Sequence, residues 1–165
     1  MPQESLKKRK ARVRMIVSAL KKTYPDSGCS LGYKTVHQLM VATILSAQCT
    51  DERVNIVTPA LFRRYRSIKQ FAEADLEELQ QMIYTTGFYV NKAKSIKRSA
   101  EQLLERHGGK IPKSLDKLVK LTGVGRKTAS VILGAGYGHA EGVVVSAVKT
   151  GDPGFARGGA SPCPG

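Results

Sequence analysis

The sequence predicts an all-α fold. Apolar residues recur at three- and four-residue spacings along most of the chain, and no segment shows the alternation of a half-buried strand. Glycine, proline and small polar residues fall between the periodic stretches, where helices start and stop. A chain of 165 residues with 41% hydrophobic content can bury one core, divided into two small lobes.

Leu6, Val13, Ile16, Val17 and Leu20 share one face of a first helix, which Pro25 and Gly28 terminate. A second, more apolar helix carries Val36, Leu39, Met40, Thr43, Ile44 and Ala47. Thr50 or Asp51 then caps a third helix bearing Val54, Val57, Leu61 and Phe62. Further helical patterns cover about 68–73, 75–84 and 89–106, with Gly108-Gly109 closing the last. Leu115, Leu118 and Val119 make a short helix, and Thr128 to Leu133 continue as another. After about residue 139 the character changes. Residues 151–165 hold five glycines and three prolines, a composition that packs no core. The expected division is therefore an N-terminal helix of an incomplete second lobe (1–30), a helical domain (31–139) and a divergent, irregular tail (140–165).

Lys and Arg total 27 against 13 Asp and Glu, a formal charge of +14. Such an excess favours polyanionic partners through counterion release. On charge alone a ribosome-bound or merely basic protein stays open. Residues 1–22 carry eight of the cations and one acid, Glu4, whereas Glu73, Asp75, Glu77 and Glu78 read as a solvated helix face. No apolar run reaches membrane-spanning length, and the basic N-terminus lacks the apolar core of a secretory signal. Cys29, Cys49 and Cys163 form neither a disulfide framework nor a metal-ligand spacing, which fits a reducing, cytoplasmic setting. His37, His107 and His139 pair with no ligand-type neighbours and read as incidental.

The most informative stretch is Leu121-Thr122-Gly123-Val124-Gly125-Arg126-Lys127-Thr128-Ala129, two helical patterns joined by a tight turn with paired glycines. Glycines permit positive φ and let backbone N–H groups approach another molecule closely. A helix N-terminus offers unpaired donors and a positive dipole end, both suited to phosphate. Lys127 in the first turn becomes a nucleophile if its amine is deprotonated. The spacing reads as a helix-hairpin-helix at about 114–134 that grips nucleic acid without reading bases.

Together with Leu45-Ser46-Ala47-Gln48-Cys49-Thr50-Asp51 and Gly87-Phe88-Tyr89-Val90-Asn91-Lys92-Ala93, this turn resembles the endonuclease III family of helix-hairpin-helix DNA glycosylases. The likeness runs from about residue 10 to 145. It implies a monomeric enzyme of base excision repair, bacterial or archaeal and associated with the nucleoid, acting on double-stranded DNA with damaged bases or abasic sites. Such enzymes flip the damaged base out of the duplex. The resemblance assigns Lys127 as the nucleophile that attacks the sugar C1′ and, through a Schiff base, allows β-elimination. Gly123, Gly125, Arg126 and Thr128 would hold phosphate. Gln48 would fill the gap left by the flipped nucleotide, and Phe88 would wedge into the base stack. Each has a plainer alternative: Lys127 as one more phosphate contact, Gln48 as a helix-end polar residue, Phe88 as core. Tyr89 and Lys92 read as structural or peripheral.

The sequence also departs from the family. Where the family places an aspartate in a Val-Asp-Thr-His-Val type segment, Ser146 follows Val143-Val144-Val145. A serine cannot supply the fixed negative charge that steadies cationic character at the sugar. The family's four cysteine ligands to a [4Fe–4S] cluster are also missing, so no cofactor is expected. The abrupt change near Val145 suggests a truncation or a frameshift, with the helices that would cover the first helix lost. The leading expectation is a glycosylase with AP lyase activity on oxidised pyrimidines. A catalytically silent DNA-binding protein and a non-functional gene remnant are the alternatives.

Overall fold

The computed structural model describes residues 5–25 and 28–139, and every regular element among them is helical. In order these are α1 (Leu6–Thr23), α2 (Val36–Leu45), α3 (Asp51–Arg64), α4 (Ile68–Ala72), α5 (Leu76–Ile83), α6 (Tyr89–His107), α7 (Leu115–Leu118) and α8 (Arg126–Val131). A 3₁₀ turn, Tyr84–Thr86, precedes α6, and a π turn, Ile132–Gly136, prolongs α8. The all-α class holds. The 140–165 tail, with Ser146 and Cys163, lies outside the described residues.

α2 is the central element because it is apolar on all sides: Leu39, Met40, Val41, Ala42, Ile44 and Leu45 are buried. α6, α8, α3 and the π turn pack around it. The π turn comes close enough that a Cβ on Gly136 would sit 3.0 Å from Val36 Cγ1. α6 is the longest helix and buries one face, Ala93, Ile96, Ala100 and Leu103, against α2, α4 and α5. It ends in a left-handed Gly108, and the Gly109 N–H returns to Leu103 O at 2.9 Å, as a glycine C-terminus does.

Hydroxyl and carboxylate caps define the starts of α2 to α5. Thr35, Thr50, Ser67 and Asp75 each accept a backbone N–H from the first turn of α2, α3, α4 and α5. The acidic stretch is not simply a solvated face. Asp75 caps α5, and Glu78 takes Arg64 Nε at 2.6 Å and the Tyr65 hydroxyl at 3.0 Å, joining α5 to the end of α3. The segment before α2 is fastened by Asn55, whose side chain donates to Ser30 O and accepts from the Gly32 N–H, both at 2.7 Å.

α1 stands apart in character. It buries no residue, and Val13, Ile16, Val17 and Leu20 are all exposed. No described helix is long and apolar enough to cross a membrane.

Candidate nucleic-acid interface

Buried Leu121 and Val124 anchor the shoulders of the turn between α7 and α8. The Thr122 N–H donates to Gln102 Oε1 on α6 at 2.8 Å. Gly123 has φ +78°, and a Cβ there would lie 2.6 Å from Ser95 Cβ on α6. Conformation and packing both demand glycine. Gly125 is different: its backbone is extended (φ −79°, ψ 174°), and an added Cβ would meet nothing within 4 Å. The paired glycines of the turn therefore differ. Gly123 builds the turn, while at Gly125 nothing in the described chain excludes a side chain.

α8 starts without a side-chain cap, unlike α2 to α5, so its first backbone N–H groups have no such acceptor. Arg126 and Lys127 are exposed and Thr128 is half-buried. Neither basic side chain is drawn into an ion pair or hydrogen bond among the described residues. A cationic, donor-rich helix start facing outward suits an anionic backbone.

Gln48 and Phe88 share a rarer property. Among the described residues they are the non-glycine positions with positive φ, at 53° and 48°. A side chain costs energy there, most of all a bulky one. Both are exposed, Phe88 at 65%. Gly87 before it, at φ 68° and ψ 156°, occupies a region open to glycine alone. Tyr84 and Tyr89 pack ring to ring at 4.8 Å on either side of this kink.

One residue ties the two kinks together. Lys92, 6% exposed, donates from Nζ to Leu45 O and to Thr86 O, each at 2.8 Å. Leu45 is the last residue of α2, three before Gln48, and Thr86 stands two before Phe88. Burial holds the Lys92 ammonium below the ordinary lysine range, against a smaller opposing influence of Cys49. Lys92 is thus structural and far from peripheral. Its sequence signal was its place on the buried stripe of α6, between Tyr89, Ala93 and Ile96.

The hairpin, the left-handed pair and their common support on α6 coincide with a known pattern. The family model described as HhH-GPD superfamily base excision DNA repair protein matches residues 41–155. The chain belongs to this superfamily. Its curated relatives within the superfamily include endonuclease III proteins, among them that of Synechocystis sp., 49% identical over 83% of this chain and 63% of the relative. The Bacillus subtilis protein is 45% identical over 70% of this chain and 52% of the relative. The chain thus spans less than two thirds of their length. Among solved structures, a trapped endonuclease III–DNA covalent intermediate, an estranged-adenine complex, superposes with TM-score 0.72 at 40% identity, covering 78% of this chain and 61% of the other. A thermostable thymine-DNA glycosylase shares the fold at TM-score 0.71 and 21% identity, over 84% of this chain and 63% of that one.

Endonuclease III relatives raise the question of an iron–sulfur cluster. The described cysteines, Cys29 and Cys49, are half-buried on separate segments, and no group of three or more His, Cys, Asp or Glu among the described residues could hold a metal. The described residues therefore do not fit that group. His37 is half-buried, hydrogen-bonded through its ring to Thr35 Oγ1 at 2.9 Å, and its pKa is lowered by burial.

Proposed function

We propose that this superfamily member is a base excision repair DNA glycosylase/AP lyase of the endonuclease III type, acting on duplexes with oxidised pyrimidines or abasic sites, with Lys127 as nucleophile. The observation that carries this reading is the exposed Lys127 on an uncapped helix start, beside Gly125 with its open backbone. The amines of such lysines form imines with sugar aldehydes. The relative trapped as a covalent DNA intermediate supports a covalent route.

In the proposed cycle Gly123, Gly125, Arg126 and Thr128 hold phosphate, Phe88 enters the stack and Gln48 fills the vacated position. The free Lys127 amine attacks C1′ and displaces the base, which leaves protonated, and the C1′–O4′ bond then breaks with a proton going to O4′. At an existing abasic site the amine instead condenses with the aldehyde and releases water. The resulting iminium acidifies the C2′ proton. Its loss to a base expels the 3′ phosphate by β-elimination, and hydrolysis of the imine returns the lysine. Capture of an aldehyde needs the amine more than a carboxylate. With Ser146 at the position where the family has an aspartate, abasic sites are the better substrate of the two.

Borohydride trapping on both duplexes tests this. The expected result is an adduct with the abasic duplex, a weaker one with the oxidised pyrimidine, and none with Lys127→Ala. Salt-sensitive duplex binding without any adduct would instead establish a silent DNA-binding protein, the reading that Ser146 favours.

A further inference from the structure

Gln48 and Phe88 face a shared mechanical problem. Each sits in a left-handed conformation that its own backbone disfavours, on an exposed loop, and the proposed function needs both held in fixed relation. Strained positions of this kind persist only where the surroundings over-determine them. The two loops come from different parts of the chain, the exit of α2 and the entry of α6.

Both loops leave a buried carbonyl at their root. Leu45 O belongs to the last turn of α2, where carbonyls have no helical partner, and Thr86 is the last residue of the 3₁₀ turn, which the Gly87 N–H closes onto Tyr84 O. Lys92 Nζ takes both at 2.8 Å. A cation suits the negative end of a helix, and an ammonium can donate to two acceptors at once, whereas a methionine of similar length donates to neither. Lys92 is itself fixed, one turn into α6, with Ser95 on the next turn lying under Gly123.

We propose that Lys92 is a positioning residue that sets the spacing between Gln48 and Phe88 by clamping the roots of their two loops. This rests on the proposed function for its purpose, but the clamp itself is a property of the free protein. Removing it frees two carbonyls and two strained loops together. Gln48 and Phe88 should therefore move as a pair.

The test uses the full chain. In Lys92→Met the backbone ¹³C resonances of both Gln48 and Phe88 shift while those of α4 and α5 do not, and Lys92→Arg stays close to wild type. Preference for an abasic over an intact duplex falls about tenfold in Lys92→Met, the size expected for one lost buried hydrogen-bond pair, with intact-duplex binding unchanged. Lys92→Arg restores it. Should Lys92→Met fail to fold, an alkaline titration of Cys49→Ser, which removes the titratable neighbour of Lys92, reads the same clamp. There Gln48 and Phe88 resonances move with one midpoint below the ordinary lysine range. If either residue stays still in Lys92→Met or through that titration, or if the folded variant loses only thermal stability and keeps its preference, the clamp is refuted. If wild type shows no preference for the abasic duplex, the proposed function falls, and the resonances still decide the clamp.

Discussion

At Gly123 a methyl group has no room: φ is +78° and Ser95 Cβ stands 2.6 Å from where it would be placed. Gly123→Ala should therefore cost roughly 1–3 kcal/mol of stability from backbone strain alone, with displacement of α6 added. Gly125→Ala should change stability by no more than about 0.5 kcal/mol, since its φ is ordinary and its surroundings open. On the proposed function the second variant should nonetheless weaken duplex binding, because the added methyl would stand between Gly125 and the phosphate it is proposed to hold. Urea unfolding and duplex titration of the two variants separate the roles. Equal stability loss in both would mean that Gly125 is also a turn-maker. The same contrast governs Lys127 and Lys92, two lysines of one type in the sequence. One is exposed and unpaired by any described ion pair or hydrogen bond, and the other is sealed against two carbonyls.

Between elements, the clearest joint is the α3–α5 clasp of Arg64, Tyr65 and Glu78. Arg64 and the Tyr65 hydroxyl hold the Glu78 carboxyl below its usual range, while burial, then the Glu78 hydrogen bond, push the Tyr65 phenol up to about 12. The signs differ. Glu78 contributes stability above the ordinary carboxylate pKa, lost as pH falls through its lowered value. Tyr65 contributes stability below its ordinary value of 10.0, lost as pH rises toward about 12. Glu78→Gln should flatten the acid limb of the stability profile and bring Tyr65 ionisation, read by phenolate absorbance, to lower pH without restoring the ordinary value. An unchanged Tyr65 midpoint would show burial acting alone. This clasp was not legible in the sequence, because Arg64 and Glu78 are fourteen positions apart and only the packing of α3 on α5 brings them together. Helix faces and the Thr50 cap were legible because they depend on neighbours three or four residues away, whereas Asp75, which reads as part of a solvated face, caps α5. The glycine hairpin was legible for the same reason. Nothing local in Gln48 or Phe88 announces positive φ, and Lys92 gave only its position on a buried stripe.

Over the whole molecule α6 acts as the common beam. Phe88 stands at its start, Lys92 reaches the exit of α2, Ser95 lies under Gly123 and Gln102 holds Thr122. On the proposed function, the residues that would grip phosphate and wedge the stack are thus referred to one rigid helix, which a site that opened a duplex would require. α1 lies outside this arrangement. It carries eight of the chain's 27 Lys and Arg residues, exposes its apolar stripe and buries no residue. Stability follows buried apolar area, so α1 contributes little to holding the α2–α8 core. Deleting residues 1–24 should leave the thermal midpoint of that core unchanged within a degree or two, a ΔΔG near zero on the usual scale of about 4–8 °C per kcal/mol for domains of this size or smaller. It should also reduce aggregation, since Val13, Ile16, Val17 and Leu20 form one contiguous exposed face. Calorimetry and light scattering on the shortened chain check both outcomes. A midpoint lowered by several degrees would show that α1 packs against the core in solution.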